Sequence, residues 1–465
     1  MKSENKNFIY NVVYQLLIYV FPLVTIPYVS RVLGVDNIGI YSYTYSIVYV
    51  FLLIALLGIN NYGCRSIAQC RDNKDELSRQ FISIYSFQLI SSSISILAYI
   101  IFIATSDTKY TLISALQLIY LISVLFDINW FYFGLEKFKV TITRNLIVKV
   151  LSVICIFLFV KRRSDLWVYT LIMASAMLLS QLYLFTILHR FVFFVKVKVS
   201  DIFSNAKEIF VLFIPVIAFA VYRVMDKTMI GYFSSVTELG YYENAERIIN
   251  IPISIIVALG TVMLPRMSYL IKTDSESANN TINSSMKLAL ILASIMAIGA
   301  FAISEDISLL LFGPEFYKSG NIIKALAFTI IASAWANVIR TQYLIPRGKD
   351  NVYVASTIFG AIINLISNFI FIPIWGAYGA CIGTLFAEFS VAIYQTIAVK
   401  KELPISKYLS FLSNGILTSI VIMAIVSIIC FSIDNIIIRF GIELTLAIVL
   451  FFIFNRNYIK NEFLK

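Results

Sequence analysis

Charged residues and histidine are both scarce in this sequence. Only 14% of the 465 residues are charged, 60% are hydrophobic, and His189 is the single histidine. Soluble domains carry about 25% charged residues, so this composition excludes an ordinary soluble enzyme or binding domain. One histidine, alone beside a basic segment, gives no basis for a histidine-containing catalytic triad or a metal site.

The five cysteines follow no spacing typical of a metal site or a disulfide framework. Cys64 and Cys70 are six residues apart, and the other three lie in apolar runs. A Walker A motif, G-x-x-x-x-G-K-[ST], is absent, so we do not expect ATP to drive the protein. The polar start MKSENKN leads into an apolar run without an A-x-A-like cleavage site, so no signal peptide is evident. We expect neither a metal nor an organic cofactor.

Long apolar runs dominate the sequence instead. A membrane-spanning helix needs about 20 apolar residues. The run lengths therefore predict an all-α polytopic membrane protein with about 14 transmembrane helices. The predicted spans are 8–29, 39–60, 81–104, 111–133, 141–160, 165–188, 209–231, 241–264, 285–304, 322–345, 352–373, 377–399, 409–432 and 437–454.

Lysine and arginine are distributed unevenly between the two sides of the predicted membrane. With a cytoplasmic amino terminus, the cytoplasmic segments, including Arg144, hold 23 of the 37 basic residues, and the outer segments hold 6. The positive-inside rule then places both termini in the cytoplasm. Because these cations are spread over many loops, the net charge of +11 does not indicate nucleic-acid binding.

A weak internal repeat suggests two lobes. The segments DNIGIYS around Gly39 and TELGYYE around Gly240 are 201 residues apart and follow the first and seventh spans. Six spans separate the two copies, so they have the same orientation in the membrane. We therefore predict an amino-terminal lobe of spans 1–6 (residues 1–190), a carboxy-terminal lobe of spans 7–12 (191–400) and two additional helices (401–465).

Several charged residues lie inside apolar spans. Arg223, Asp226 and Lys227 in the seventh span have i, i+3, i+4 spacing and share one helical face. Each charge costs roughly 2.5–3.5 kcal/mol at the centre of a span, so this face is expected to meet protein or a water-filled transport pathway. Guanidinium groups suit a diphosphate because they bind phosphate bidentately. The predicted substrate-binding residues are Arg31, Lys149, Arg223, Lys227, Arg247 and Arg340.

Acidic side chains in or near the spans are candidates for ion coupling, because a cavity acid can bind a proton or Na⁺. These residues are Asp127, Asp226, Glu243 and Glu388.

Structural roles are the alternative for several of these charged residues. Asp226 with Arg223, and Glu243 with Arg247, have the spacing of helical ion pairs. Lys227 has local carboxylates to pair with, and Arg31 is near enough to a span end to reach the membrane surface.

Three segments carry a resemblance to a known family. PLVTIPYVSRVLGVDNIGIYSYTYSI near the amino terminus, FDINWFYFGLEKF at 126–138 and DKTMIGYF at 226–233 resemble the Wzx-type O-antigen and polysaccharide flippases. These belong to the multidrug/oligosaccharidyl-lipid/polysaccharide exporter superfamily. The resemblance covers spans one to twelve. It implies two six-helix lobes in a V around a central cavity, which the in-span cations would make cationic. The two additional helices predicted at 401–465 depart from the twelve spans of many family members.

The resemblance also implies a function. We expect a flippase, not an enzyme, that moves undecaprenyl-diphosphate-linked oligosaccharide, an O-antigen or capsule repeat unit, to the periplasmic or outer leaflet. It would work by alternating access in the bacterial cytoplasmic (inner) membrane, coupled to H⁺ or Na⁺. Its expected partners are the lipid-linked oligosaccharide, membrane lipids and the polysaccharide polymerase machinery, with no nucleic acid.

Other functions remain open from the sequence. A multidrug or metabolite cation antiporter has the same fold, but it would favour an acidic cavity, and here in-span bases outnumber acids. A flippase for the peptidoglycan lipid precursor shares the diphosphate chemistry, and the two extra spans fit it. A membrane polymerase or acyltransferase typically needs a sizeable outer loop or an intramembrane histidine, and the sequence has neither.

Overall fold

The computed structural model describes residues 2–106 and 109–456, except for the side chains of residues 2–23, 138, 214–215 and 218–223. Every regular element in these ranges is a helix, as the apolar runs predict. The chain divides into two compact units, Met1–Thr228 and Met229–Lys465. The lobe limits at residues 190 and 400 remain predictions.

The helices of the first unit, in chain order, are α1 (Lys2–Leu56), α2 (Ile59–Cys70), α3 (Lys74–Thr105), α4 (Thr111–Val124), α5 (Asn129–Gly134), α6 (Phe138–Phe159), α7 (Leu166–Thr186), α8 (Val199–Ser204) and α9 (Ala206–Phe233), the last of which extends past the limit of the unit. The second unit contains α10 (Val236–Thr273), α11 (Ser275–Ala302), α12 (Ser304–Phe312), α13 (Tyr317–Leu326), α14 (Thr329–Val338), α15 (Asp350–Trp375), α16 (Ala377–Val399), α17 (Ile405–Cys430) and α18 (Ile436–Phe454).

The chain is a multi-pass membrane protein. Within the described residues, 11 helical segments are long and apolar enough to cross a membrane, or 12 if the bent pair Pro314–Leu326 and Thr329–Arg347 forms one span. These segments match predicted spans two to six and eight to fourteen. The first and seventh predicted spans contain side chains outside the described set, so the count of fourteen stays a prediction, as does the V around a central cavity.

Gly34 separates the first two predicted spans. Its backbone, with φ 78° and ψ 171°, interrupts α1 and lies in a region that glycine adopts without Cβ strain. The second part of α1 therefore starts at Val35, and α10 starts at Val236, after its amino-terminal cap Ser235. These two starts are 201 residues apart, so the sequence repeat coincides with the same helix start in each unit.

In each unit, a side chain near this helix start forms hydrogen bonds with a later part of the chain. In the first unit, the Asn37 side-chain amide donates to the carbonyl of Arg163 at 2.8 Å. In the second unit, Glu238 occupies the position equivalent to Asn37. Its carboxylate accepts from Lys318 Nζ at 2.5 Å and from the backbone N–H of Ala377 at 3.0 Å. The start of the repeated helix is thereby fixed to neighbouring helices in both units.

The fourth predicted span is broken between α4 and α5. Carbonyls at such a break need partners because a membrane offers no water to them. Gln88 Nε2 donates to the carbonyls of Val124 (2.7 Å) and Asp127 (2.8 Å), and Tyr85 OH donates to that of Leu125 (2.9 Å). The helix α3 therefore supplies the hydrogen bonds that the break requires.

Aromatic residues form much of the core in each unit. In the first unit, Trp130, Phe131 and Tyr132 of α5 are fully buried against α2 and α3. In the second unit, Trp335 and Tyr408 pack together where α11, α14 and α17 meet. The aromatic side chains of the sequence NWFYFG therefore fix α5 in the core of the first unit.

The two carboxy-terminal helices pack on other helices of the second unit. α17 lies along α11, and α18 contacts α12. Arg439 of α18 forms a bidentate pair with Asp306 of α12, with Nε–Oδ2 and Nη2–Oδ1 distances of 2.7 and 2.5 Å. An ion pair therefore attaches the last predicted span to the body of this unit.

Candidate functional site

Arg144 of α6 is the centre of a buried polar cluster in the first unit and is only 4% exposed. Its Nη1 donates to the carbonyl of Ser180 at 3.1 Å and to Gln181 Oε1 at 3.2 Å. Its Nη2 donates to Asn129 Oδ1 at 3.0 Å and Asn145 Oδ1 at 2.7 Å, and its Nε reaches the same Asn145 oxygen at 3.2 Å. A guanidinium has five N–H donors, and these contacts use all of them. Arg144 therefore joins α5, α6 and α7 and is poorly placed to bind a phosphate.

Asp127 belongs to the same cluster. It is 6% exposed, and its Oδ1 accepts from the backbone N–H of Asn129 at 3.1 Å and from its Nδ2 at 2.7 Å. The other side-chain atom of that amide, Oδ1, accepts from Arg144. The Asn129 side-chain amide thus lies between the buried Asp127 carboxylate and the buried Arg144 guanidinium and is hydrogen-bonded to both. A proton added to Asp127 would weaken the bonds it accepts, so its coupling role is chemically reasonable and stays a prediction.

Charge counting alone missed Arg144 and assigned it to a cytoplasmic segment, whereas the structure buries it in α6. The polar residues beside it were the available signal. Asn145 is adjacent to it, and Asn129 follows Asp127 by two positions in the FDIN segment. Buried polar side chains normally find hydrogen-bond partners, so such residues inside apolar spans indicate a polar cluster.

The charged face of α9 is described only in part. Asp226 is buried and Lys227 is half-buried. The next residue, Thr228, donates to Ser46 Oγ at 2.9 Å, so this turn of α9 packs against the second part of α1. The side chain of Arg223 lies outside the described residues, and its role as a phosphate ligand stays a prediction.

Two other predicted cations of the first unit lie on different helices. Arg31 is exposed and precedes the Gly34 break in α1 by three residues, and Lys149 is half-buried midway along α6. Their roles in substrate binding remain predictions.

Glu243 and Arg247 of α10 form an ion pair, as their helical spacing suggested. The Arg247 Nε–Glu243 Oε1 distance is 2.9 Å, and Glu243 is the more buried partner. One residue before Glu243, the Tyr242 hydroxyl lies 3.2 Å from Thr384 Oγ1 of α16. The pair therefore lies near the contact between α10 and α16. The pairing of Arg247 with Glu243 is compatible with its predicted role in substrate binding, because a guanidinium has donors other than Nε–H.

Glu388 is half-buried one turn after Thr384 on α16. Its Oε2 accepts a hydrogen bond from Ser333 Oγ of α14 at 2.7 Å. Since α10, α14 and α16 contact each other, two predicted coupling acids, Glu243 and Glu388, lie along the interface of these three helices. Ser333 could not be chosen from the sequence, because nothing in its spacing relates it to residue 388.

Arg340 lies where the tenth span changes its helical geometry. Residues Ile339–Leu344 form a π-helix, a rare conformation that is frequent at functional sites. Arg340 Nη2 donates to Asn337 Oδ1 at 2.7 Å, and its guanidinium carbon lies 5.5 Å from the ring centre of Tyr353. Asn337 in turn donates to the carbonyl of Ile256 in α10 at 2.9 Å. Arg340 is therefore held at the α10–α14 interface.

Residues 5–271 of the chain match the sequence profile of a family described as polysaccharide biosynthesis protein. The chain belongs to the polysaccharide biosynthesis protein family. The sequence of this family member is similar to those of two proteins named as O-antigen transporters, over nearly their whole lengths. Identity with that of Shigella dysenteriae is 22% over 392 residues, which are 82% of this chain and 96% of the relative. Identity with that of Escherichia coli K12 is 23% over 413 residues, or 86% and 97%.

The fold of this family member is also found in a solved structure. The lipid II flippase MurJ, in an inward closed conformation, superimposes with a TM-score of 0.75 and 17% identity. The similarity covers 97% of this chain and 100% of that one. The resemblance to polysaccharide flippases inferred from the sequence is thus confirmed for the family and for the membrane fold.

Proposed function

We propose that this protein is a flippase for undecaprenyl-diphosphate-linked oligosaccharide, the repeat unit of an O-antigen or capsule. The similarity to named O-antigen transporters over 96% and 97% of their lengths carries the proposal. The diphosphate would bind in-span cations from the cytoplasmic side, and the two lobes would then open outward by alternating access. The lipid tail would stay in the bilayer, because hydrocarbon gains nothing by entering a polar cavity. No covalent step is needed.

The test uses the purified chain in proteoliposomes that contain a labelled undecaprenyl-diphosphate oligosaccharide. A membrane-impermeant enzyme that cleaves the exposed sugar reports which leaflet holds the substrate. We expect the protected half of the substrate to become cleavable only when the protein is present. Protection that persists in the presence of folded protein would contradict the proposal.

A flippase for the peptidoglycan lipid precursor is the second candidate. The fold of lipid II flippase MurJ covers 97% of this chain, a range that includes helices beyond the twelve spans of the sequence resemblance. The same proteoliposomes loaded with undecaprenyl-diphosphate disaccharide-pentapeptide separate the two candidates. Faster transfer of the oligosaccharide carrier supports the first, and faster transfer of the pentapeptide carrier supports the second.

Replacing Glu388 with glutamine is expected to remove much of the response of transport to an imposed proton or Na⁺ gradient. Glutamine keeps an oxygen that accepts the bond from Ser333 but cannot take up a proton or balance the charge of a cation. Initial transfer rates in proteoliposomes, with and without each gradient, provide the measurement. Ser333→Ala is the matched control, because it removes the bond and leaves the carboxylate. A gradient response that is unchanged in Glu388→Gln would rule this residue out as the coupling site.

The orientation in the bacterial cytoplasmic membrane is also part of the proposal, with both termini in the cytoplasm. Arg162, in the turn before α7, and Lys401, in the turn before α17, are both exposed and are predicted to lie on opposite sides. We expect a cysteine at position 162 to react with an impermeant maleimide on intact cells and a cysteine at 401 to react only after lysis. The protein without an introduced cysteine is treated in the same way, and its labelling gives the background from the native cysteines. The reverse pattern would invert the topology.

A further inference from the structure

A compact group of side chains lies where the tenth span ends. After the π-helix, a short 3₁₀ turn, Ile345–Arg347, leads to Gly348, which has φ 66°. The Arg347 guanidinium carbon lies 4.0 Å from the ring centre of Tyr343. The Tyr343 hydroxyl donates to Glu402, and Lys349 Nζ reaches the two oxygens of that carboxylate at 2.6 and 2.8 Å. We call Tyr343, Arg347, Lys349 and Glu402 the Arg347 cluster.

One nitrogen at the edge of the half-buried Arg347 guanidinium, Nη1, lacks an acceptor within the described residues. This atom is buried and makes no hydrogen bond to any residue of the described chain. Stacking on Tyr343 occupies the face of the guanidinium, but its N–H groups point outward in the plane. Burying a charged donor without an acceptor is costly, and such groups are rare in native structures. The unsatisfied Nη1 therefore indicates that an anionic acceptor binds here.

The charges in the cluster agree with that interpretation. Hydrogen bonds from the Lys349 ammonium and then from the Tyr343 hydroxyl lower the pKa of the Glu402 carboxyl, so Glu402 is ionised at neutral pH. Lys349 and Arg347 both act electrostatically on this carboxylate. Two positive charges therefore face one negative charge, and the cluster has a net charge of about +1 near neutral pH.

The position of the cluster selects the kind of anion. Arg347 is the last residue of the helical segment Thr329–Arg347, which together with Pro314–Leu326 is long and apolar enough to form one bent span. The end of a span lies at the level of the lipid head groups, where the abundant oxyanions are phosphates. Arginine matches phosphate geometry with two parallel N–H donors.

We propose that the Arg347 cluster binds a phosphate oxyanion at the predicted cytoplasmic surface of the membrane. Arg347 donates to the phosphate oxygens, Tyr343 holds the guanidinium plane, and Lys349 supplies a second cation that Glu402 keeps in place. The phosphate belongs either to the head group of an anionic phospholipid or to the diphosphate of a lipid carrier. This inference does not require the proposed function, because phosphate binding is measured without transport.

The experiment measures binding to the purified full chain in neutral detergent micelles. Thermal unfolding is followed during titration with inorganic pyrophosphate and, separately, with phosphatidylglycerol, with phosphatidylcholine as the neutral lipid. We expect at least one of the two anions to raise the unfolding temperature. Arg347→Ala should weaken that binding by about tenfold or more, since a hydrogen bond to a charged group contributes about 1.5–3 kcal/mol.

Two further variants make the result specific. Arg266→Ala removes an exposed arginine of the same unit and should leave the affinity unchanged. Arg347→Lys keeps the charge without the planar fork and should weaken binding several-fold. It also replaces the alanine variant if that variant does not fold.

The outcomes separate the sources of the phosphate. A response to phosphatidylglycerol alone assigns the site to a phospholipid, and a response to pyrophosphate alone assigns it to a diphosphate carrier. A response to both supports the shared phosphate chemistry. If the wild-type protein responds to neither, or if Arg266→Ala weakens binding as much as Arg347→Ala, the proposal is wrong.

Discussion

Arg144→Ala is expected to lower the unfolding temperature of the protein by about 6 °C or more. The substitution removes the donors for side-chain oxygens of Asn129, Asn145 and Gln181 inside the first unit. Two of these oxygens keep a second donor, because Gln181 Oε1 accepts from Asn129 Nδ2 at 3.2 Å and Asn145 Oδ1 accepts from Ser180 Oγ at 3.5 Å. Five hydrogen bonds from a charged donor are nevertheless lost, and since such bonds contribute about 1.5–3 kcal/mol each, the loss should be at least about 3 kcal/mol. For a unit of this size, 1 kcal/mol corresponds to about 2–4 °C.

Thermal unfolding of the purified protein in detergent provides the measurement. Arg190→Ala is the control, because it removes an exposed arginine from the same unit and should change the unfolding temperature little. Arg144→Lys keeps the charge but has three donors instead of five, so its loss should be intermediate. An alanine variant as stable as the wild type would show that the Arg144 cluster does not hold α5, α6 and α7 together.

Arg223→Ala is expected to abolish surface polysaccharide while the protein still reaches the membrane at its normal level. A guanidinium this deep in an apolar helix costs roughly 2.5–3.5 kcal/mol, which is a reason to expect that it has a function there. Under the proposed function, the substitution would remove a bidentate phosphate ligand and with it the contact that draws the diphosphate into the pathway. Arg223→Lys should restore transport only in part, since lysine binds phosphate as a point charge.

Polysaccharide on intact cells and lipid-linked oligosaccharide in the membrane fraction are measured together. The variant should lose the first and accumulate the second. Lys207→Ala, which removes an exposed cation near the start of the same helix α9, is the matched control and should behave as wild type. Normal surface polysaccharide in Arg223→Ala would show that this residue is not needed for the cargo.

The sequence was informative about spans and family because both depend on local patterns. Predicted spans two to six and eight to fourteen each coincide with apolar helical segments, of which the fourth and the tenth are divided into two helices, since apolar run length is what a bilayer selects. The pair Glu243–Arg247 also followed from local spacing, because residues four apart on a helix are neighbours.

Contacts between distant residues could not be predicted in this way. The bond from Ser333 to Glu388 joins residues 55 positions apart, and no spacing rule relates them. The burial of Arg144 depends on α5 and α7 folding against α6, which a count of loop charges cannot represent. The bond from Lys349 to Glu402 likewise joins residues 53 positions apart.

The tie at Glu238 limits where α10 can flex. Its carboxylate holds the first turns of that helix to Lys318 and Ala377, whereas Pro252 and Pro265 lie farther along the same helix. Pro252 is about 21 Å from Glu238 at 1.5 Å per residue, and proline removes a backbone hydrogen bond where it occurs. We therefore expect the beginning of α10 to move together with α13 and α16, and bending of this helix to be concentrated at and beyond Pro252.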